Sequence, residues 1–539
     1  MKKRSFHAIL ALALTAALLA GCGQNANSNA NANPGASAPT DGVSQPDTAA
    51  PASDGVITVA FSSLGATLDP VDNTDGISST FIYGTYDRLI KFAVKDGNMA
   101  DDKTYEPSIA KSWDLSEDGL TWTFYIDENA RFANGDPVTA EDVEFSFNRC
   151  ASRENGEFVY GLTRISETTV IDSHTIEFKL SQLCPTFLQL IEMYPFAICS
   201  KAQVEAQPDN WLASNTAGSG PYTITKYETS TEVVLEARED YWGERASNNK
   251  IIVQLVKEPS SRKMLIEKGD IDFATDLTPK DLDSLDALPD VDVLSEPSNT
   301  ILFFQMNVGM APFDNVKVRQ AISYALPYET LVSSVMNNRA NLMKSSVPSI
   351  MEGHVANENT FYQQDLEKAK ALLAEAGYED GLEFEFTLGS GFQDWEDDAV
   401  LIQAELAKIG VTMNITKMDR SQFLDLMRER DKLQACITRF ISYVNDPGYT
   451  TGMLFVSGAD FNYNNYSNPA FDELHQLAEA TLDPQERLDT LARMQEMIKE
   501  DAPIAGLYEY NNSVAVRSNV SGFVFFPDRT TRFDTMAKA

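Results

Sequence analysis

The folded part of this chain can begin only where its composition changes, near residues 54–56. From Gly23 to Asp54 the sequence is almost wholly Asn, Ala, Ser, Pro, Gly and Gln, with hardly a large aliphatic or aromatic residue. Such a tract cannot bury enough apolar surface to offset the entropy of ordering it, so residues 22–55 read as a disordered linker. A flexible coil of that length has an r.m.s. reach of roughly 30 Å, from about 5–6 Å times the square root of its residue count. The remaining stretch of about 485 residues is long enough for two or three domains with a large core.

Ahead of the linker, Lys2, Lys3 and Arg4 precede an Ala/Leu-rich run from Ala8 to Ala20. That run is shorter than the roughly 20 residues needed to span a bilayer, and reads as a signal peptide over residues 1–21. Leu19-Ala20-Gly21-Cys22 resembles a bacterial lipobox, which implies cleavage before Cys22 and an acyl anchor, palmitate for example, on that cysteine. An ordinary secretory signal with an incidental cysteine is the alternative. Both readings take the chain out of the cytoplasm, and the first ties it to the outer face of the bacterial cell membrane.

Charge narrows the partners. The chain carries 79 acidic and 43 basic residues, a net charge of −36. A surface that acidic repels nucleic acid and anionic lipid headgroups. Cys150, Cys184, Cys199 and Cys436 show no CxxC spacing, so a zinc or redox motif is not indicated. Cys184 and Cys199 could pair in an oxidising compartment; unpaired buried thiols are the simpler reading. His174, His354 and His475 are scattered without ligand spacing, and His475 reads as part of a solvated helix face. No metal and no cofactor are expected.

Periodicity places α/β elements along the body. Val56–Phe61 reads as a buried strand and Ile77–Leu89 as a helix. Thr121–Ile126 alternates, and Thr139-Ala-Glu-Asp142 caps a helix to about Arg149. Strands are expected near Tyr222–Thr225, Val233–Ala237, Ile251–Val256, Val411–Thr416 and Leu433–Thr438. Helices are expected near Arg262–Lys268, across Leu366 to Ala376, across Trp395 to Ile409, and from Pro484 to Lys499. Alternation of this kind argues open α/β layers, with domains built from discontinuous segments.

Four groups of motifs carry a family resemblance. Ile109-Ala-Lys-Ser-Trp113, Ser116 to Phe124, Asn134 to Val143 and Phe145 to Arg149 form the first. Gly218-Ser-Gly-Pro-Tyr222 with Arg238-Glu-Asp-Tyr-Trp242 forms the second. Gln305-Met-Asn307 with Pro312 to Ala325 forms the third, and Asn465 to Glu473 with Asp501-Ala-Pro503 the fourth. In this order the chain resembles the bacterial extracellular solute-binding proteins of the dipeptide/oligopeptide/nickel-binding family. The resemblance implies an α/β, two-lobed periplasmic-binding-protein-like fold, with hinged lobes around a cleft and an extra small domain. Lobe one would take residues 56–92, 194–300 and 505–539, the extra domain 93–193, and lobe two 301–504. It also implies a monomer that is not an enzyme, captures a small solute, most simply a short peptide, and docks on the permease of an ABC importer.

Most of these motifs also have a structural sense. Asp118-Gly119 and Asn134-Gly135 are turn chemistry, Tyr241-Trp242 is packing, and Arg319 is a fold-stabilising donor. Ligand contacts implied by the resemblance fall elsewhere. Thr74, Asp75 and Gly76 would line the cleft at a helix start, where N–H groups can receive an anion or carbonyl; a plain helix cap is the equal alternative. Phe392 and Trp395 would form an aromatic wall, although Trp395 also fits the core face of its helix. In Arg439-Phe440-Ile441-Ser442-Tyr443-Val444-Asn445-Asp446-Pro447, Phe440 and Asp446 match the pattern of peptide-binding relatives. Tyr443 stands where those relatives carry the aspartate that pairs with a peptide ammonium, and Arg439 and Tyr443 equally suit an anionic or neutral ligand. A tethered hydrolase is the rival from another class, but GxSxG and HExxH are both missing. A tethered peptide-sensing receptor is a further alternative.

Overall fold

A computed structural model describes residues 55–94 and 99–539. The expectations for the leader, for Cys22 and for the tether up to residue 54 lie outside the described residues. Among those described, no helix is long and apolar enough to cross a membrane.

The first strand, Val56–Phe61, pairs in parallel with Lys250–Leu255 and Phe273–Ala274. Ile57, Val59, Ile251 and Val253 are fully buried, as expected of parallel strands covered on both faces. A hairpin of Tyr222–Glu228 and Glu232–Ala237 extends this part of the sheet. In lobe two, Leu382–Gly389 lies between Val411–Met418 and Ala435–Ile441, again in parallel. Helices Val316–Ala325, Leu366–Glu375 and Gln393–Ala407 supply the apolar cluster on that lobe, and Pro447–Phe455, Pro469–Ala480 and Pro484–Asp501 supply a second one.

Two long antiparallel strands, Val291–Met306 and Ile504–Arg517, join the lobes into one eleven-stranded sheet. Their register breaks between the lobes. Val291–Pro297 pairs with Arg517–Asn511, Ile301–Gln305 pairs with Glu509–Ile504, and Ser298, Asn299 and Thr300 drop out of the ladder. Tyr510 lies opposite this break, and the boundary expected at 504–505 falls at the start of the strand Ile504–Arg517. Residues 504–510 still pair within lobe two, including with Ala340–Leu342.

The extra domain holds a four-stranded antiparallel sheet in the order Ala110–Leu115, Thr121–Ile126, Thr175–Leu180, Ile165–Asp172. Asp118-Gly119 turns the first hairpin, with Gly119 at φ +72°. Asp142 reaches back to accept from the Thr139 N–H at 3.0 Å, capping the helix Ala140–Ser152. The helix expected to reach Leu89 instead spans Gly76–Thr85. Tertiary packing stops it: the Gly218 and Gly220 backbone presses on Thr85 and Tyr86, where an added Cβ would lie 2.2 Å and 2.5 Å from main-chain atoms. The chain then turns Asp87 inward to accept from Ser219 Oγ, Tyr241 Oη and Trp242 Nε1. These contacts account for two of the family motifs. Arg319 donates to the Asp501 and Phe313 carbonyls and is likewise structural.

The four described cysteines are free, so Cys184 and Cys199 do not pair. Burial pushes the Cys150 and Cys199 thiols up to about 12. His475 is not a solvated-face residue: its Nδ1 is buried without a partner, and its ring packs on Gly452.

Buried charges tie the segments together. Arg149 of the extra domain grips Asp69 with two guanidinium nitrogens, one at 2.7 Å, and both residues are buried. Removing one partner of such a pair leaves an uncompensated buried charge. Asp69→Ala is therefore expected to cost about 3–5 kcal/mol in urea unfolding. Two acids beside the lobe crossing behave differently. Asp398 is fully buried, accepts from Tyr508 Oη at 2.8 Å, and has one carboxyl oxygen without a partner. Burial pushes it up to about 8, and pushes Glu509 up to about 7. Each holds a proton in the folded chain that the unfolded chain releases near pH 4. Stability from these groups is thus full below about pH 4 and lost as pH rises toward their folded values. Denaturation between about pH 5 and 8 should show falling stability in the wild type and a flatter profile in Asp398→Asn.

Candidate functional site

Parallel strands in both lobes end at the same place. In lobe two, the strand ends at Gly389, Met418 and Ile441 lead into Phe392, Arg420 and Tyr443. In lobe one, the strand ends at Phe61 and Ala274 lead into Ser62 and Asp276, whose side chains are hydrogen-bonded at 3.0 Å. Carboxyl ends of parallel strands leave a crevice that connecting loops line, which is where open α/β sheets bind ligands.

The lobe-two wall is built on an aromatic platform. Trp395 is buried, its Nε1 donates to Tyr510 Oη at 3.1 Å, and Tyr510 donates to Asp394 at 2.6 Å. Phe392 stacks on Trp395 with ring centres 4.2 Å apart. The Arg439 and Arg420 guanidiniums lie 5.0 Å and 4.9 Å from the centre of the Phe392 ring. Arg439 emerges from the strand Ala435–Ile441 on the platform side. Phe440, its neighbour, points to the opposite face and is buried against the helical cluster of lobe two.

The lobe-one wall is completed by the C-terminal segment. Arg532 is buried, bridges both Glu192 oxygens at 2.6 Å and 3.1 Å, and stacks between Tyr83 and Phe526. Asp528 is tied to Thr530 and Arg532. This anchorage holds Arg529 in the left-handed region, at φ +60°, an uncommon conformation for a residue with a Cβ. Its Nη1 donates to Thr300 Oγ1 at 3.2 Å, at the lobe crossing. Solvent reaches Arg529, yet protein hems it in enough that desolvation, then repulsion from Arg439, pushes its guanidinium below the usual arginine value. Tyr443 shows the same combination: it is 46% exposed, and desolvation still raises its hydroxyl. Groups that are wetted and enclosed at once line an internal crevice.

The structure thus brings together Phe392, Trp395, Arg439 and Tyr443. On the lobe-one side, the Tyr194 hydroxyl donates to the Asn73 carbonyl at 3.4 Å, next in sequence to Thr74, Asp75 and Gly76, and burial, then the charges of Tyr443 and Asp75, raise its pKa. Asp75 is nonetheless occupied as a helix cap, accepting from the Ile77 and Ser78 N–H groups and from Ser78 Oγ. A Cβ at Gly76 would meet open space, so no close approach there requires glycine. Phe440 and Asp446 are not cleft groups. Asp446 is buried, holds Arg487 through both oxygens at 2.8 Å and 2.9 Å, and caps the helix Pro447–Phe455. Arg529, Arg420, Asp276 and Tyr510 were not foreseen. Nothing in their local sequence marks them, since only chain crossing places them at the crevice.

The extra domain touches lobe two along the rim. Gln189 Oε1 accepts from the Asn445 N–H at 2.9 Å, Val444 packs on Leu190 and Met193, and Phe158 meets Phe461 edge-on. A cavity of about 430 Å³ opens there, lined by Phe158, Arg428, Arg430, Asp460, Phe461 and Tyr463. Its size is typical of a small-ligand pocket. Among the described residues, no group of three or more His, Cys, Asp or Glu could hold a metal ion.

Known proteins share this fold. The chain is 29% identical over 481 residues to the probable D,D-dipeptide-binding periplasmic protein of Escherichia coli, covering 88% of this chain and 92% of that one. It is 26% identical over 481 residues to the Escherichia coli dipeptide-binding protein, covering 84% and 88%. A Helicobacter pylori ABC transporter-associated periplasmic binding protein, solved with the peptide STSA, superposes with a TM-score of 0.77 at 26% identity, over 90% of this chain and 98% of that one. The profile of bacterial extracellular solute-binding proteins, family 5 Middle, matches residues 104–462. With two lobes closing on a crevice at the ends of their parallel strands, the chain belongs to the bacterial extracellular solute-binding proteins, family 5.

Proposed function

We propose that this protein captures a short peptide or peptide-like solute between its lobes and delivers it to the permease of an ABC importer. The observation that carries this reading is the crevice itself, where Phe392, Arg439 and Tyr443 of lobe two face Arg529 and Asp276 of lobe one. The Tyr443 hydroxyl makes no hydrogen bond within the described residues and is available to a ligand. The relatives named for dipeptide binding support the solute class.

Closure is the mechanism. The contacts that lobe two makes with the rest of the chain include the Gln189–Asn445 hydrogen bond, a small apolar cluster, and the partly exposed ion pairs Lys103–Glu352 at 3.1 Å and Arg339–Asp283 at 2.6 Å. Such contacts are weak alone, since exposed ion pairs contribute about 0–1 kcal/mol. A ligand touching both walls adds whatever it binds more tightly in the closed state, and so sets the population of the form a permease would recognise. The register break at Pro297–Ile301 supplies the bending point. Cys22 would carry acyl chains that hold the protein, as a monomer, at the outer membrane face, each buried methylene contributing about 0.8 kcal/mol.

Thermal unfolding of the purified protein with a panel of di- to tetrapeptides tests the reading. A true ligand at about 100 times its Kd should stabilise the fold by about 2.7 kcal/mol; a panel without any shift would refute peptide capture. Arg439→Ala and Tyr443→Ala should each weaken calorimetric binding by more than about 1 kcal/mol at unchanged melting temperature. Replacing Cys22 by alanine should move the protein from the membrane to the soluble fraction.

A further inference from the structure

The crevice gathers more positive charge than its own acids balance. Arg439 and Arg420 both approach the Phe392 ring. Arg529 donates to Thr300 Oγ1 at 3.2 Å on the strand where Thr300 and Leu302 pair with Ile441 and Arg439, so Arg439 and Arg529 share one face and repel. Among the described residues, no carboxylate lies within the 4.0 Å ion-pair distance of any of these three guanidiniums. The acid that most offsets Arg529 is Asp276, on the same wall, where it accepts from Ser62 Oγ at 3.0 Å. The other acids close by are engaged: Asp528 by Thr530 and Arg532, Asp75 by its helix, Asp394 by Tyr510.

This concentration stands out in a chain with a net charge of −36, where a carboxylate is the commonest neighbour a cation can find. Several arginines elsewhere in the fold do find one, as Arg149, Arg339, Arg487 and Arg532 do, while Arg262 and Arg319 are satisfied by main-chain carbonyls. Two like charges brought together in a partly desolvated crevice destabilise each other, and the left-handed backbone at Arg529 adds strain. An oxyanion between Arg439 and Arg529 would relieve the repulsion, accept charge-assisted hydrogen bonds from both guanidiniums, and meet the free Tyr443 hydroxyl.

We infer that Arg439 and Arg529 form an oxyanion subsite, and that the solute is anchored there by a carboxylate rather than by a free amine. This inference rests on the solute-capture reading and names the chemistry of that same crevice. One guanidinium comes from each wall, so the anion also bridges the lobes. A bound carboxylate converts the mutual repulsion of the arginines into a reason for the lobes to close.

Calorimetric titration of the full chain with Ala-Ala, N-acetyl-Ala-Ala and Ala-Ala-amide, beside succinate and glutarate, tests it. Acetyl-Ala-Ala should bind within threefold of Ala-Ala, and the amide at least tenfold more weakly. Arg439→Gln and Arg529→Gln should each lower affinity for the acetylated peptide at least tenfold, with melting temperature retained as the check on folding, and Arg439→Lys should recover part of the loss. An amide that binds as well as Ala-Ala, with loss of binding on acetylation, would overturn the subsite and leave peptide capture standing. Binding of a dicarboxylate but of no peptide would support the subsite and overturn peptide capture. Binding of neither class would overturn both.

Discussion

Two strands hold this molecule together and also let it bend. Val291–Met306 and Ile504–Arg517 run side by side through both lobes, so every strand of the main sheet connects through them. A continuous ladder along their whole length would make the lobes one rigid slab. The loss of Ser298, Asn299 and Thr300 from the pairing interrupts it at one level. Asn299 then takes over with its side chain, lying within hydrogen-bond reach of the Ser442 and Pro527 carbonyls and of Asn445 Oδ1. Two of those acceptors belong to the lobe-two loop that carries Tyr443, and the third to the C-terminal segment that carries Arg529. One side chain thus couples the bending point to both walls of the crevice.

Around that axis the fold uses buried charge for placement and apolar area for stability. Each lobe has its own apolar cluster, which the alternating elements generate without help from the other. Placement of the C-terminal segment is different. It has few regular elements, and the Arg532–Glu192 pair, wedged between Tyr83 and Phe526, fixes where it runs. Desolvated ion pairs add little net stability against apolar replacements, yet they reject misplacement strongly because a lone buried charge is costly. The chain applies that discrimination where Arg529 must be presented.

Local pattern made much of the architecture legible. Val56–Phe61 and Thr121–Ile126 fall where alternation and burial put them, and helices ended at Gly377 and Gly410 because those glycines, at φ +85° and +79°, take up the left-handed conformation past the last turn. The long strand Val291–Met306 was not anticipated, since its first half is polar and partly exposed while its second half is fully buried. No single period describes both. The helix Gly76–Thr85 stops short for an equally nonlocal reason, the glycine backbone packed against its end from residues 218–220.

For the site, the residue types in Arg439–Pro447 drew attention to the segment, but their directions could not be read. Arg439 and Phe440 are adjacent and face opposite ways, because a strand alternates its side chains. Asp446 looked like a ligand group until Arg487, far along the chain, took both its oxygens. Sequence by itself determined the α/β class and the family, both of which depend on local periodicity and short motifs. Only the tertiary structure decided which acids are already neutralised, which arginines are not, and that Arg529 meets Arg439. Charge balance in a crevice is a sum over groups brought together from distant segments, and no local stretch of sequence contains that sum.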